Sequence, residues 1–167
     1  MRFISASKIF SGKEYLPANT VLVLNDNGLI EDITIKENVE SSNIELFEGI
    51  ISPGFINTHC HLELSHLKNT IKQHTGIVDF GLGVMKHRNE CSIELQQEAM
   101  RLADKEMQSQ GIVAVGDISN TDVSIHTKQQ SNLYYHTFVE LIALNPERAN
   151  LVFDTGKQLL SEYTQAQ

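Results

Sequence analysis

Apolar and polar residues fall into two regimes along the chain. In residues 1–50 the apolar positions come in short, strand-like runs, at 3–10, 20–24, 29–35 and 44–47, and no 3.6-residue period appears. Asp26-Asn27-Gly28 separates two of these runs. It predicts a hairpin turn, because Asn and Gly tolerate positive φ. Near residues 50–53 the pattern changes. An apolar run at 50–56, broken by Pro53-Gly54, leads into Asn57-Thr58-His59-Cys60-His61. A helix is predicted over about 91–110, with Ser92 as N-cap, Glu94 in its first turn and Gly111 as its stop. Ile93, Met100, Ala103 and Met107 share one face of it. Residues 112–115 form a continuous apolar run, as in a strand buried on both faces, and a second such strand is predicted over about 134–144. Asn145-Pro146-Glu147 opens a last helix that runs to the end of the chain.

The order is thus a small β region (1–50), then alternating strands and helices (51–167), which implies right-handed βαβ units and a parallel sheet. There is no repeat of fixed period and no low-complexity linker. The 167 residues are enough for a domain with a real core. Composition narrows the function by exclusion. The formal charge of -8 argues against nucleic acid or an anionic membrane surface as the main partner, since both need a basic face. No apolar run reaches the roughly 20 residues that cross a bilayer, and residues 1–11 lack the apolar region of a signal peptide. Two cysteines, Cys60 and Cys91, are too few for a disulfide framework and read as reduced thiols. The expected setting is cytoplasmic.

The chemistry is concentrated at His59 and His61. Side chains alternate along a strand, so both imidazoles point to one face and Cys60 packs into the layer behind. Two neutral imidazoles projecting together can share a divalent ion such as zinc. With seven histidines in the chain, about 0.3 His-x-His pairs arise by chance, so the tripeptide alone is weak. Its place at the carboxyl end of an apolar strand is what raises it, because barrel enzymes keep their chemistry there.

The stretch Ile51-Ser52-Pro53-Gly54-Phe55-Ile56-Asn57-Thr58-His59-Cys60-His61-Leu62 resembles the first-strand signature of the amidohydrolase superfamily. It is most similar to the branch of aminohydrolases, with chlorohydrolases and imidazolonepropionase nearby. Residues 111–117 resemble the second barrel strand and 134–140 the third. The resemblance implies an α/β fold, namely the N-terminal part of a (β/α)8 TIM barrel, about three β/α units, preceded by part of a small β-sandwich. It implies His59 and His61 as metal ligands for a divalent metal, zinc or else iron. A His from strand five and an Asp from strand eight complete such a centre, and a further His from strand six helps the nucleophile. The implied activity is hydrolysis of a non-peptide carbon–nitrogen bond, most simply deamination of an aminated heterocycle or nucleoside-like small molecule. Other reactions of the superfamily, such as dechlorination or ring opening, are decided mostly by residues beyond Gln167.

A complete barrel of this type needs about 250 residues, and three strands cannot close one. The catalytic residues are therefore expected beyond Gln167, and this chain alone, as a fragment or a non-catalytic relative, is expected to be inactive. Glu63, two residues after His61, is expected to face the barrel mouth and touch substrate, or else to be a solvated loop carboxylate. Residues 80–88 resemble a helix that caps the site. Lys86 stands where nucleoside-type members carry an acid, which argues against an adenosylhomocysteine-like member, and Arg88 could pair with an anionic group of the substrate or else be a surface arginine at a helix end. His66 and His74 read as surface histidines, one of which could instead line the pocket, and His126 and His136 as structural. Asp117 and Glu140 end strands and could orient ligands from behind. The partners expected are a small-molecule substrate and, by default for such enzymes, a second copy in a homodimer.

Overall fold

The computed structural model describes residues 1–143 and 145–166. The chain divides into two units, Met1–Pro53 and Gly54–Gln167.

The first unit is a four-stranded sheet. Its strands are β1 (Arg2–Ile9), β2 (Thr20–Leu24), β3 (Ile30–Ile35) and β4 (Ile44–Ile51), in the order β3-β2-β1-β4. The β1–β2 and β2–β3 pairs are antiparallel and β1–β4 is parallel. The predicted hairpin turn joins β2 to β3. The Asn25 side-chain oxygen accepts from the amides of Asn27 and Leu29, and Gly28 takes φ +80°, where a side chain would be strained. Ala6, Ile9 and Leu22 form its core, with Leu16, Leu24 and Ile51 packed around them.

In the second unit β5 (Phe55–Cys60), β6 (Ile112–Ser119) and β7 (Tyr134–Val139) form a parallel sheet in the order β5-β6-β7. Between β5 and β6 lie a 3-10 turn (Leu62–Leu67), α1 (Gly76–His87) and α2 (Ile93–Ser109); α3 (Ile125–Gln129) precedes β7, and α4 (Ala149–Ala166) follows it. The fold is mixed α/β. No helix among the described residues is long and apolar enough to cross a membrane.

Ser92 caps α2, accepting from the Leu95 amide, and Gly111 follows it at φ +79°. Met100 is fully buried in a core with Leu62, Val115, Leu133 and Tyr135, against which Ala103 and Met107 also pack. Ile93 departs from the predicted face and is 44% exposed. Asp104, four residues after Met100, shares that face and is buried; it accepts from the Ser131 hydroxyl at 2.6 Å and the Tyr135 hydroxyl at 2.8 Å.

Three boundaries differ from the sequence reading. β6 runs past the apolar run at 112–115 and past Asp117, the expected strand end, to Ser119, because Val115, Asp117 and Ser119 are all buried on the helix side. β7 ends at Val139; the predicted strand end at Leu144 lies outside the described residues, as does Gln167 at the end of the last helix. Asn145 caps a 3-10 turn (Pro146–Arg148), accepting from the Glu147 amide, and α4 begins only after it.

Candidate metal centre

β5 is irregular where its chemistry begins. Asn57 pairs with Val115 and Cys60 with Asp117, so three residue steps on β5 match two on β6. This is a β-bulge, which re-aims the side chains within it. Strict alternation would put Asn57 on the histidine face. Instead the Asn57 amide lies 3.6 Å from the Met107 sulfur on the helix side, and Cys60 packs against the core on that same side. Gly116 makes room for the bulge: a Cβ there would lie 2.9 Å from the Thr58 carbonyl oxygen.

His59 and His61 come together on the other side. Their ring centroids are 5.2 Å apart, at an interplanar angle of 68°. His59 is exposed and His61 half-buried. Among the described residues two imidazole nitrogens are buried with no hydrogen-bond partner, Nδ1 of His61 and Nδ1 of His66, and of these the His61 ring is the one that faces a second imidazole. A buried imidazole nitrogen left unpaired is costly, and an ion would satisfy it. The donor set therefore fits part of a divalent-metal site. Imidazoles suit zinc, but a catalytic zinc takes three protein ligands, and among the described residues no group of three His, Cys, Asp or Glu side chains is placed to hold a metal. Cys60 adds nothing to the set. Burial first, and then the nearby Asp117 charge, push its thiol up to about 12.

Glu63 does not lie in solvent. It is 2% exposed. Its Oε2 accepts from the Asn120 amide at 3.1 Å, the Thr121 amide at 3.0 Å and the Thr121 hydroxyl at 2.8 Å, and its Oε1 accepts from Arg88 at 3.2 Å. The carboxylate thus ties the turn after His61 to the segment after β6 and to the end of α1. Arg88 keeps part of its side chain exposed. With His61, Phe80, Asn120 and Glu140 it lines an open cavity of about 760 Å³.

The reading of His66 as a surface histidine is corrected. It is half-buried, its Nε2 sits 3.1 Å from the Arg88 carbonyl, and a carbonyl can only accept, so Nε2 donates. His74 is exposed, as expected, at φ +63°. His136 stacks edge-on against Phe138, with centroids 4.6 Å apart. Glu140 accepts from the Asn120 side chain through both its carboxylate and its carbonyl oxygen.

Sequence reasoning missed one partner altogether. Asp117 is fully buried, and Lys128 Nζ lies 2.6 Å from its Oδ2, with the lysine side chain only 7% exposed. Lys128 also donates to Ser119 Oγ at 3.1 Å and Thr137 Oγ1 at 2.9 Å, and sits 4.5 Å from the Tyr163 ring centroid. Burial lowers its pKa, against the opposing pull of Asp117. The other Asp117 oxygen accepts from the Leu62 amide at 2.7 Å. So Asp117 does not reach the imidazoles; it holds the backbone beside them.

Comparison with known proteins gives the family. No protein of curated function matches the sequence. Among solved structures, the aminofutalosine deaminase of Helicobacter pylori in complex with methylthio-coformycin is 22% identical. It superposes with a TM-score of 0.71 over 96% of this chain and 41% of its own. An adenosine deaminase from Xanthomonas campestris with bound zinc is 16% identical, with a TM-score of 0.67 over 96% of this chain and 39% of its own. An amidohydrolase from Brucella melitensis is 13% identical, with a TM-score of 0.66 over 99% and 43%. At these identities the likeness is one of fold, and the chain spans about two fifths of each of these proteins. Residues 50–159, most of the chain and the span that holds β5, both histidines and all three parallel strands, match the family model, and on that match the chain belongs to the amidohydrolase family.

Proposed function

We propose that the chain is the metal-binding N-terminal part of a (β/α)8 barrel hydrolase that deaminates an aminated heterocycle or nucleoside-like small molecule. In this reading residues 1–50 belong to a β-sandwich and residues 51–167 open the barrel. One observation carries it: two imidazoles 5.2 Å apart at the carboxyl end of a parallel strand, one with a buried, unpartnered nitrogen. The family match supports it, as does the likeness of fold to an aminofutalosine deaminase and an adenosine deaminase.

His59 and His61 would hold the metal, zinc before iron, and the other ligands belong to the part of such a barrel that this chain does not span. When bound, the metal supplies a water acidic enough to act as hydroxide near neutral pH. The chain's own residues do the rest of what is proposed for them. The β5 bulge aims the two rings together. Phe80 and Val84 of α1 give the cavity beside His61 an apolar wall. Arg88, anchored on Glu63, presents its remaining N–H groups to a polar group of the substrate, so Glu63 would act through Arg88.

Two measurements test this. In the 167-residue protein, zinc is expected to shift the imidazole 15N resonances of His59 and His61 together, and His59→Ala or His61→Ala is expected to abolish the effect. Rings that stay unmoved by zinc would sink the metal role. For the reaction, the natural polypeptide captured from its source with an antibody to this segment is expected to release ammonia from a panel of aminated purines, pyrimidines and their nucleosides. That release is expected to stop with a chelator and return with zinc. A metal-replete protein that releases no ammonia from any of them would sink the deaminase reading while leaving the metal role standing.

A further inference from the structure

Two buried carboxylates tie down the chain just past His61, one accepting from its backbone and one carried on it. The amide of Leu62, the next residue, donates to Asp117 at 2.7 Å, inside the layer between sheet and helices. The side chain of Glu63, one residue further, reaches outward to the amides of Asn120 and Thr121 beyond the end of β6. Between them the chain leaves the strand. His61 has φ -123° and ψ 76°, short of the extended region that a continuing strand would keep.

Asp117 is an expensive way to hold one amide. Its charge is fully buried and needs Lys128 against it, and buried ion pairs often stabilise a protein no better than apolar residues of the same size. What an apolar pair cannot supply is a strong acceptor fixed under the Leu62 N–H. Ser119 Oγ donates to the same carboxylate at 3.0 Å, and Thr137 and the Tyr163 ring hold the lysine. The acceptor is therefore locked from β6, β7, α3 and α4 at once.

We propose that Asp117 is the positioning residue of the histidine pair. Through the Leu62 amide it fixes the turn out of β5, so that the His61 ring meets an ion shared with His59. Lys128 serves only to balance the charge. This rests on the metal reading above.

The test uses the whole 167-residue protein in three forms. They are the wild type, Asp117→Asn/Lys128→Met, which keeps an oxygen acceptor without charge, and Asp117→Leu/Lys128→Met, which keeps volume without an acceptor. Zinc affinity is read from the imidazole 15N shifts of His59 and His61, and folding from thermal melting. The asparagine protein is expected to bind zinc within about 3-fold of wild type. The leucine protein is expected to bind at least about 10-fold more weakly while melting within a few degrees of the asparagine protein, the range for outer partners of metal ligands. Leucine-protein affinity equal to wild type would overturn the positioning role alone. Wild-type rings that ignore zinc would overturn the metal reading, and this proposal with it. Should the leucine protein fail to fold, hydrogen exchange at the Leu62 amide of the wild type decides. Saturating zinc is expected to slow it, because the ion selects the geometry that the bond to Asp117 holds, and exchange that zinc leaves unchanged would overturn the proposal.

Discussion

Replacing Lys128 by methionine isolates the charge that lies behind the histidine strand. Methionine keeps most of the apolar stem and removes the ammonium. Asp117 would retain the Leu62 amide and the Ser119 hydroxyl but lose the one cation paired with it among the described residues. At 2.6 Å the attraction is about 6 kcal/mol for an effective dielectric of about 20. Part of that is offset, because the lysine no longer has to be desolvated and the remaining donors still serve the carboxylate. Breaking a buried pair from one side costs about 3–5 kcal/mol, a large share of the ~5–15 kcal/mol that holds a domain together. In urea, with a slope of about 1–3 kcal/mol per molar, the unfolding midpoint is expected to fall by roughly 1 M or more. Adding Asp117→Asn removes the stranded charge, and the double variant is expected to recover most of the loss. A single variant that loses less than about 1 kcal/mol, or a double variant no more stable than the single, would refute the buried-pair reasoning.

Other substitutions test the packing around the site. Gly116→Ala drives a Cβ to within 2.9 Å of the Thr58 carbonyl; it is expected to cost about 1–3 kcal/mol in urea unfolding and to weaken zinc binding, and a neutral result would mean that the bulge does not need the glycine. Met100→Ala empties the fully buried centre of the core under β5 and β6 and is expected to cost about 2–5 kcal/mol by the same assay. Cys60, half-buried and with its thiol pushed up to about 12, is expected to resist iodoacetamide at pH 8 in the folded chain and to react readily in urea, as peptide mass mapping would show; equal rates would put it outside the core layer.

What the sequence made legible is what local pattern encodes. The strand-terminal histidines, α2 with its Ser92 cap and the βαβ order all follow from periodicity and turn chemistry within a few residues. What it hid depends on partners far along the chain. The bulge in β5 exists only relative to the register of β6, some 55 residues later, so alternation alone could not separate Asn57 from His59. Glu63 looked like a solvent or substrate carboxylate because its partners, Asn120 and Thr121, lie 57 and 58 residues away. His66 looked like a surface residue until the Arg88 carbonyl, 22 residues on, was placed against it. α3 has five residues and no period to read.

Asp117 is the instructive case, because half of its signal was present. Val115, Asp117 and Ser119 share a face by the period of two, and the apolar run before them predicts a strand buried on both sides. An acid continuing a buried face must be paired, since an isolated charge there is prohibitive. The sequence therefore called for a buried cation within reach of the end of β6, and Lys128 stands eleven residues on. Gly116-Asp117 reads instead as a strand end followed by a loop, which cuts the face off before the acid is counted on it. The same logic would have exposed Asp104, which sits at the i+4 position from Met100 on the apolar face of α2 and is satisfied by Ser131 and Tyr135. A polar residue in the middle of an apolar face is thus a demand for a partner, and the partners it recruits here are the ones that hold the sheet under the two histidines in place.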